Sequence, residues 1–302
     1  MREVVKIGRK AGLPVMAVVW ALAALLAEPS AAVEEDNVLG LPKLAISRGG
    51  ALVICGGGDM PAEVNQRFVE LAGGPQARIV VIPTAYPFSG LKEAVEYHSE
   101  WFELDLAKVD FVHTESSTEA NDEQFVQALT QATGVWLEGG AQGRLADIYR
   151  GTRTETEIKR VLERGGVVGG TSAGAAIMSQ VMIRHGSRKV AVTDAGWGLV
   201  QRAVIDQHFL MRNRQQRLLG VLSRHPEQVG LGIDEGTALI VQGNCLQVVG
   251  NSKVVVCLSE DDEPKPMCHL SHGDMVSLVA NGPKDRHPGR IRVQSQTRVA
   301  TK

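Results

Sequence analysis

Short apolar runs alternate with longer amphipathic stretches through the first half of the chain. Ala51 to Cys55, Arg78 to Ile82, Val109 to Val112, Val135 to Leu137 and Val167 to Val168 are rich in valine and isoleucine. Runs this short, several closed by glycine or proline, predict buried β-strands. Between them, Pro61 to Leu71, Gly90 to Glu103, Asp122 to Gln131, Arg144 to Arg150 and Thr154 to Arg164 read as helices. Pro61 suits a first helical turn, and Gly165-Gly166 a helix stop. Such alternation implies right-handed crossovers and an α/β fold of three αβα layers around a mostly parallel sheet.

The later third changes character. Val204 to Ile205, Val229 to Ile233, Ala238 to Val241, Leu246 to Val249 and Val254 to Leu258 read as strands with short turns such as Gly243-Asn244. They predict C-terminal β-hairpins appended to the parallel sheet. In open parallel sheets, ligands bind beyond the carboxyl ends of the strands. Gly56-Gly57-Gly58, Gly139-Gly140 and Gly169-Gly170 all fall at such ends and are expected to converge.

The first residues obey a different logic. Arg2, Lys6, Arg9 and Lys10 precede an apolar run from Leu13 to Ala27, followed by Pro29 and Ser30-Ala31-Ala32. A basic start, a short apolar middle and small residues at the end are the parts of a secretory signal peptide cleaved near Ala32. The run is short for a membrane span, which needs about 20 residues. The chain thus divides into a signal peptide at 1–32, a polar entry segment at 33–48, one large domain at 49–283 and a basic tail at 284–302. The expected location is secreted or periplasmic, with no stable membrane anchor after cleavage.

Composition narrows the partners. The chain has 302 residues, 44% of them hydrophobic, enough for one large core. Removing four basic and two acidic leader residues takes the formal charge from −2 to −4. A mildly acidic protein gives no reason to expect nucleic acid as a partner. The tail arginines Arg286, Arg290, Arg292 and Arg298 read as a solvated edge strand and terminus. Export permits disulfides, so one pair among Cys245, Cys257 and Cys268 is a candidate bridge, while Cys55 reads as an inert buried thiol. The cysteines show no Cys-x-x-Cys spacing, and Glu260 to Glu263 lacks calcium-loop spacing. Gly56-Gly57-Gly58 runs into Pro61 without a nucleotide fingerprint. Neither a metal nor a cofactor is predicted.

Gly170-Thr171-Ser172-Ala173-Gly174 fits the nucleophile-elbow pattern Gly-x-Ser-x-Gly. Such a serine sits on a strained turn, and its neighbours must be small for the chain to fold that tightly. The context agrees: Gly166 to Gly170 is strand-like, and Ala173 to Gln180 is Ala-rich and helix-forming. A serine nucleophile needs a base, and His208 ends a strand-like run; His113 is the rival. The imidazole needs an acid, for which Glu235 is chosen and the adjacent Asp234 competes. The backbone N–H of Ala173, with one from Gly139 or Gly140, would meet an oxyanion. Arg212, Arg214 and Arg217 follow His208 at spacings that prevent all three from sharing one helical face. Those that reach the site suit a substrate carboxylate. The order Ser172, His208, Glu235 disfavours a lipase-like α/β-hydrolase, where the acid precedes the histidine.

That ordered set resembles the cyanophycinase branch of the dipeptidase E-like serine peptidases, relatives of the class I glutamine amidotransferase-like (flavodoxin-like) fold. The resemblance runs from about Ala51 to Val241. It is carried by Gly56-Gly57-Gly58, Glu138-Gly139-Gly140-Ala141-Gln142, Gly169 to Ala175, Asp206-Gln207-His208-Phe209 and Asp234-Glu235-Gly236. It implies a triad of Ser172, His208 and Glu235 and a substrate pocket of Gln142, Asp206, Gln207, Arg212, Arg214 and Arg217. It also implies a homodimer. The expected activity is an exopeptidase releasing β-Asp-Arg from multi-L-arginyl-poly-L-aspartate (cyanophycin) or a related β-aspartyl peptide. The alternatives are an aspartyl or isoaspartyl dipeptidase, and a catalytically inactive extracellular binding module on the same scaffold.

Overall fold

The computed structural model describes residues 39–40, 45–46, 49–243, 245–260, 263–279 and 290–295. The expected signal peptide lies outside the described residues. Five strands form the parallel heart of the large sheet: β1 (Ala51–Cys55), β2 (Arg78–Ile82), β3 (Lys108–Phe111), β4 (Gly134–Leu137) and β5 (Val167–Thr171). Their spatial order is β1-β5-β4-β2-β3, every neighbouring pair parallel. Alternation along β1 shows how the layers form. Ala51, Val53 and Cys55 pack with Val64 and Phe68 of helix α1 (Ala62–Leu71) and with Trp101 and Trp136. Leu52 and Ile54 face the other way, toward α3 (Gln142–Tyr149) and α4 (Arg153–Glu163), where Leu145, Ile158 and Leu162 are fully buried. Each such large apolar side chain contributes about 1.5–3 kcal/mol. Between β2 and β3 along the chain lies α2 (Leu91–Tyr97).

Three helical expectations change, the first being Gly90 to Glu103, which divides into α2 and a 3-10 segment at Ser99–Glu103. The stretch 122–131 forms turns and a 3-10 segment at Leu129–Gln131, because Asp122 Oδ1 takes the Gln124 N–H in a local bond that competes with a helix. The helix after Ser172 is only α5 (Ala173–Ala176). Ser179 Oγ ends it by donating to Ala176 O and accepting Ile205 N–H, so the chain turns into a hairpin. That hairpin is β6 (Val181–Gly186) with β7 (Ala191–Ala195).

The later strands divide between two sheets. After β8 (Ala203–Gln207), α6 (Gln215–Leu222) and β9 (Val229–Ile233) come β10 (Thr237–Gln242), β11 (Cys245–Gly250), β12 (Lys253–Glu260), β13 (Glu263–Ser271), β14 (Asp274–Val279) and β15 (Arg290–Ser295). Strands β10, β11, β14 and β15 extend the large sheet antiparallel from β1, as hairpin additions should. Because β15 pairs with β14, the sheet runs past residue 283. By contrast, β8, β9, β12 and β13 make a separate sheet whose first pair is parallel. This corrects the expectation of a single extended sheet: the turn Asp234-Glu235-Gly236 carries the chain from one sheet to the other. The expected disulfide is also absent, since all four cysteines are free thiols. Cys257 packs with Val204 and Phe209, whereas Cys268 packs on the opposite core. Strand pleating therefore points the two apart.

Helix α5 is pressed so closely on β4 that a Cβ at Gly174 would lie 2.1 Å from Leu137 O. Gly174→Ala should therefore lower stability by roughly 3 kcal/mol, at the upper end of overpacking costs. A Cβ at Gly220, inside α6, would meet nothing within 4 Å. Gly220→Ala should raise stability by about 0.5–1 kcal/mol. Urea unfolding midpoints of the two variants, moving in opposite directions, check both statements.

Candidate active site

Registration of the parallel strands gathers their carboxyl ends. Cys55 lies opposite Thr171, and Leu137 opposite Gly170. Gly56-Gly57-Gly58, Ser172 and Glu138-Gly139 therefore emerge side by side. Ser172 N–H donates to Cys55 O at 3.1 Å, while the residue itself sits at φ 51°, ψ −105°. A residue with a Cβ is strained there, and such strain persists only where the surroundings over-determine it. Ala173 opens α5, where first-turn N–H groups lack intrahelical acceptors. A Cβ on Gly139 would lie 3.6 Å from Ser172 Cβ, so its backbone borders the serine. Gly140 follows at φ 142°, folded against Ala85 O.

The second sheet supplies the partners. Gln207 is in register with Ile233, so His208 and Asp234-Glu235 leave β8 and β9 together. His208 N–H donates to Gly56 O at 2.7 Å, tying the second sheet to the end of β1. The His208 imidazole places Nε2 2.8 Å from Ser172 Oγ and Nδ1 2.5 Å from Glu235 Oε1. With Nδ1–H donating to the carboxylate, Nε2 is left to accept the serine hydroxyl. Burial pushes the imidazole pKa below its ordinary value, against the raising hydrogen bond from Glu235, and the nearby Arg212 guanidinium lowers it further. Of the two carboxylates considered, Glu235 makes this contact. Asp234 instead accepts the N–H groups of Leu210 and Met211 at 3.0 and 2.9 Å and the Ser252 hydroxyl at 2.7 Å. It fixes the loop that follows His208. The rival His113 is bound elsewhere, to Thr84 Oγ1 and Phe88 O.

The expected pocket residues separate into two groups. Arg212 is half exposed, with Nε 4.0 Å from Glu235 Oε1. Arg214 donates to Gln207 O at 2.6 Å and lies 3.7 Å from Asp206; burial lowers its pKa to about 10. Gln207 is buried, and its Oε1 has no hydrogen-bond partner among the described residues. Arg217 departs from expectation. It is buried and bidentate to Asp206, with Nε 2.7 Å from Oδ2 and a second bond from its NH2 group to Oδ1. Burial raises the Asp206 carboxyl pKa, while Arg217 and then Arg214 pull it down. With two of its N–H groups on Asp206, Arg217 holds α6 to β8. Gln142 is buried, its amide donating to Ile183 O at 2.6 Å.

One buried acid had no assigned role in the sequence. Glu138, beside Gly139, accepts from Trp101 Nε1 at 3.1 Å and lies 3.6 Å from His98 Nδ1. Burial raises its pKa, opposed first by His98. The sequence offered no signal for this link, because Trp101 and His98 are distant in the chain and sit on a 3-10 turn and a helix end. Among the described residues, no group of three histidines, cysteines or acids is placed to hold a metal ion.

The model of peptidase family S51 matches residues 52–249. The chain is 33% identical over 258 residues to a cyanophycinase from Geminocystis herdmanii, covering 82% of this chain and 91% of that one. It is 31% identical over 257 residues to a cyanophycinase from Nostoc, covering 81% and 83%. Among solved structures, a peptidase from an acI-B1 Actinobacterium aligns with a TM-score of 0.59 at 24% identity, covering 78% of this chain and 98% of that one. That likeness shows a shared fold.

Two measurements follow from this geometry. The His208 imidazole should titrate below about 6.5, the unperturbed histidine value. Because Glu235 raises the pKa, Glu235→Gln should move it further down; side-chain NMR checks the direction. Arg217→Ala should cost about 3–5 kcal/mol by leaving Asp206 buried without its partner. Arg212→Ala, at an exposed position, should stay within about 0.5 kcal/mol of the parent protein in the same unfolding assay.

Proposed function

We propose, starting from the fact that the chain belongs to peptidase family S51, that it is a serine exopeptidase releasing β-Asp-Arg dipeptides from multi-L-arginyl-poly-L-aspartate. The observation that carries this reading is the unbroken line from Ser172 Oγ through the His208 ring to Glu235. The identities to two cyanophycinases support the substrate class.

In this mechanism, Ser172 Oγ attacks the scissile carbonyl carbon as His208 Nε2 takes its proton. Glu235 holds the tautomer and stabilises the imidazolium. Negative charge on the carbonyl oxygen is met by N–H of Ala173 and of the Gly139-Gly140 segment. His208 then returns the proton to the leaving amine, and an acyl-enzyme on Ser172 remains. Water, deprotonated by His208, hydrolyses it and regenerates the serine. The lowered histidine pKa favours the neutral imidazole that a general base requires. Arg212 is the cation best placed to pair with the free α-carboxylate of a β-linked aspartyl residue, and Arg214 lines the same segment behind it.

The leader at 1–32 supports export to a secreted or periplasmic location, and the family resemblance supports a homodimer. No helix among the described residues is long and apolar enough to cross a membrane.

The decisive experiment compares the purified protein with Ser172→Ala on the polymer, reading β-Asp-Arg by mass spectrometry. The parent should release the dipeptide, and the variant should be slower by about ten-thousand-fold or more. Equal rates, or no dipeptide from either, overturn the proposal. Cleavage of short aspartyl or isoaspartyl dipeptides without polymer cleavage would assign the chain to dipeptidase chemistry instead.

A further inference from the structure

A cavity of about 380 Å³ opens between the tip of the β6–β7 hairpin and the segment that follows His208. Its lining is Arg188 and Lys189 from the hairpin and Asn213, Gln215 and Gln216 from the segment entering α6. No acid is in this lining. No ion pair involves Arg188 or Lys189 among the described residues, whereas Arg184 on the same hairpin is held by Asp147 and Asp194. Three carboxamides add N–H donors to the two cations. In a chain of formal charge −2, this is a local cationic concentration that the fold itself does not use.

Its location links it to the reacting centre. Asn213 lies between Arg212, whose Nε is 4.0 Å from Glu235, and Arg214, which donates to Gln207 O. Asn213 adopts φ 50°, and its N–H donates to Leu210 O, so the segment is a tight turn. That turn carries Arg212, beside Glu235, and Asn213, which lines the cavity. Asp234 clamps the start of the segment, and Arg217 anchors its end in α6. The segment that supplies the cavity wall is therefore held at both ends, just after His208 and within α6.

We infer that this cleft is a second substrate subsite, taking carboxylates of the acidic peptide chain beyond the unit being cleaved at Ser172. The inference rests on the proposed peptidase function and extends it to the length of substrate held. Guanidinium and ammonium groups pair with carboxylates, and carboxamide N–H groups complete their hydrogen bonding. A peptide carrying a free carboxylate on each repeat presents such groups at regular intervals. Cations at an exposed rim act by attracting and retaining an anionic chain, an effect that salt screens.

The test uses the full protein carrying Arg188→Glu with Lys189→Glu, both at exposed positions that take no part in the triad hydrogen bonds. The KM for polymer should rise about tenfold, with kcat and the rate on the shortest cleavable β-Asp-Arg oligomer within about twofold of the parent. The salt dependence of the polymer KM should flatten. An unchanged polymer KM, or equal losses on polymer and short oligomer, overturns the subsite. A direct binding arm separates this from failure of the peptidase reading: fluorescent oligo-aspartate is titrated into Ser172→Ala with and without the charge reversals. Binding about tenfold weaker in the reversed protein supports the cleft even if the polymer is not a substrate. Binding that ignores the reversals overturns it even if the polymer is cleaved.

Discussion

Everything at the site depends on how closely two sheets approach over Gly56-Gly57-Gly58. A Cβ at Gly56 would lie 2.0 Å from Asp234 O, and one at Gly57 would lie 2.3 Å from the His208 ring. One at Gly58 would fall 2.9 Å from the Glu235 side chain. The triglycine is thus a floor without side chains on which His208 and Glu235 rest. It is also the seam between the sheets, since Gly56 O accepts His208 N–H and Gly57 O accepts Gly236 N–H. Positive φ at Gly57, 94°, lets its carbonyl turn toward that seam. Ser172 arrives from the large sheet, and its two partners come from the other. Only this close contact brings the two sets within hydrogen-bonding distance.

Ser172 and His208 are both held at φ 51°. Backbone in this region costs of order 1–3 kcal/mol for a residue bearing a Cβ. The surroundings that hold it are visible in each case. Ser172 is fixed by its N–H bond to Cys55 O and by α5 pressing on β4 through Gly174. His208 is fixed by Gly56 O in front and, behind it, by Phe209, whose ring lies against Gly232 and whose N–H donates to Ile233 O. The strain and the glycines are two aspects of one design, in which side chains give way where the backbone must come close.

The sequence was informative wherever local chemistry decides structure. Valine-rich runs gave β1, β2, β4 and β5, because burial on both faces leaves a continuous apolar signature. The elbow around Ser172 was legible because tight turns admit few residue types. Strands β8 and β9 were legible as strands but not as a second sheet, since their pairing depends on partners far along the chain. The same limit governs Asp206 and Arg217. Read along the chain, Arg217 is one more cation after the histidine; only the register of β8 against α6 places it within reach of a buried carboxylate. Glu138 and Asp234 follow suit, their partners brought together by topology alone.

The arginines after His208 therefore carry a division of labour that composition conceals. Arg217 pairs with a buried acid and anchors α6 to β8. Arg214 is half-way between these conditions: its donor is spent on Gln207 O, and desolvation weakens its hold on a proton. Arg212 retains an exposed guanidinium beside Glu235. A graded series from buried to exposed follows from one geometric fact, the turn at Asn213 between a strand end and a helix start. The inner member makes the turn rigid, and rigidity gives the outer member a defined position from which to meet a charged ligand.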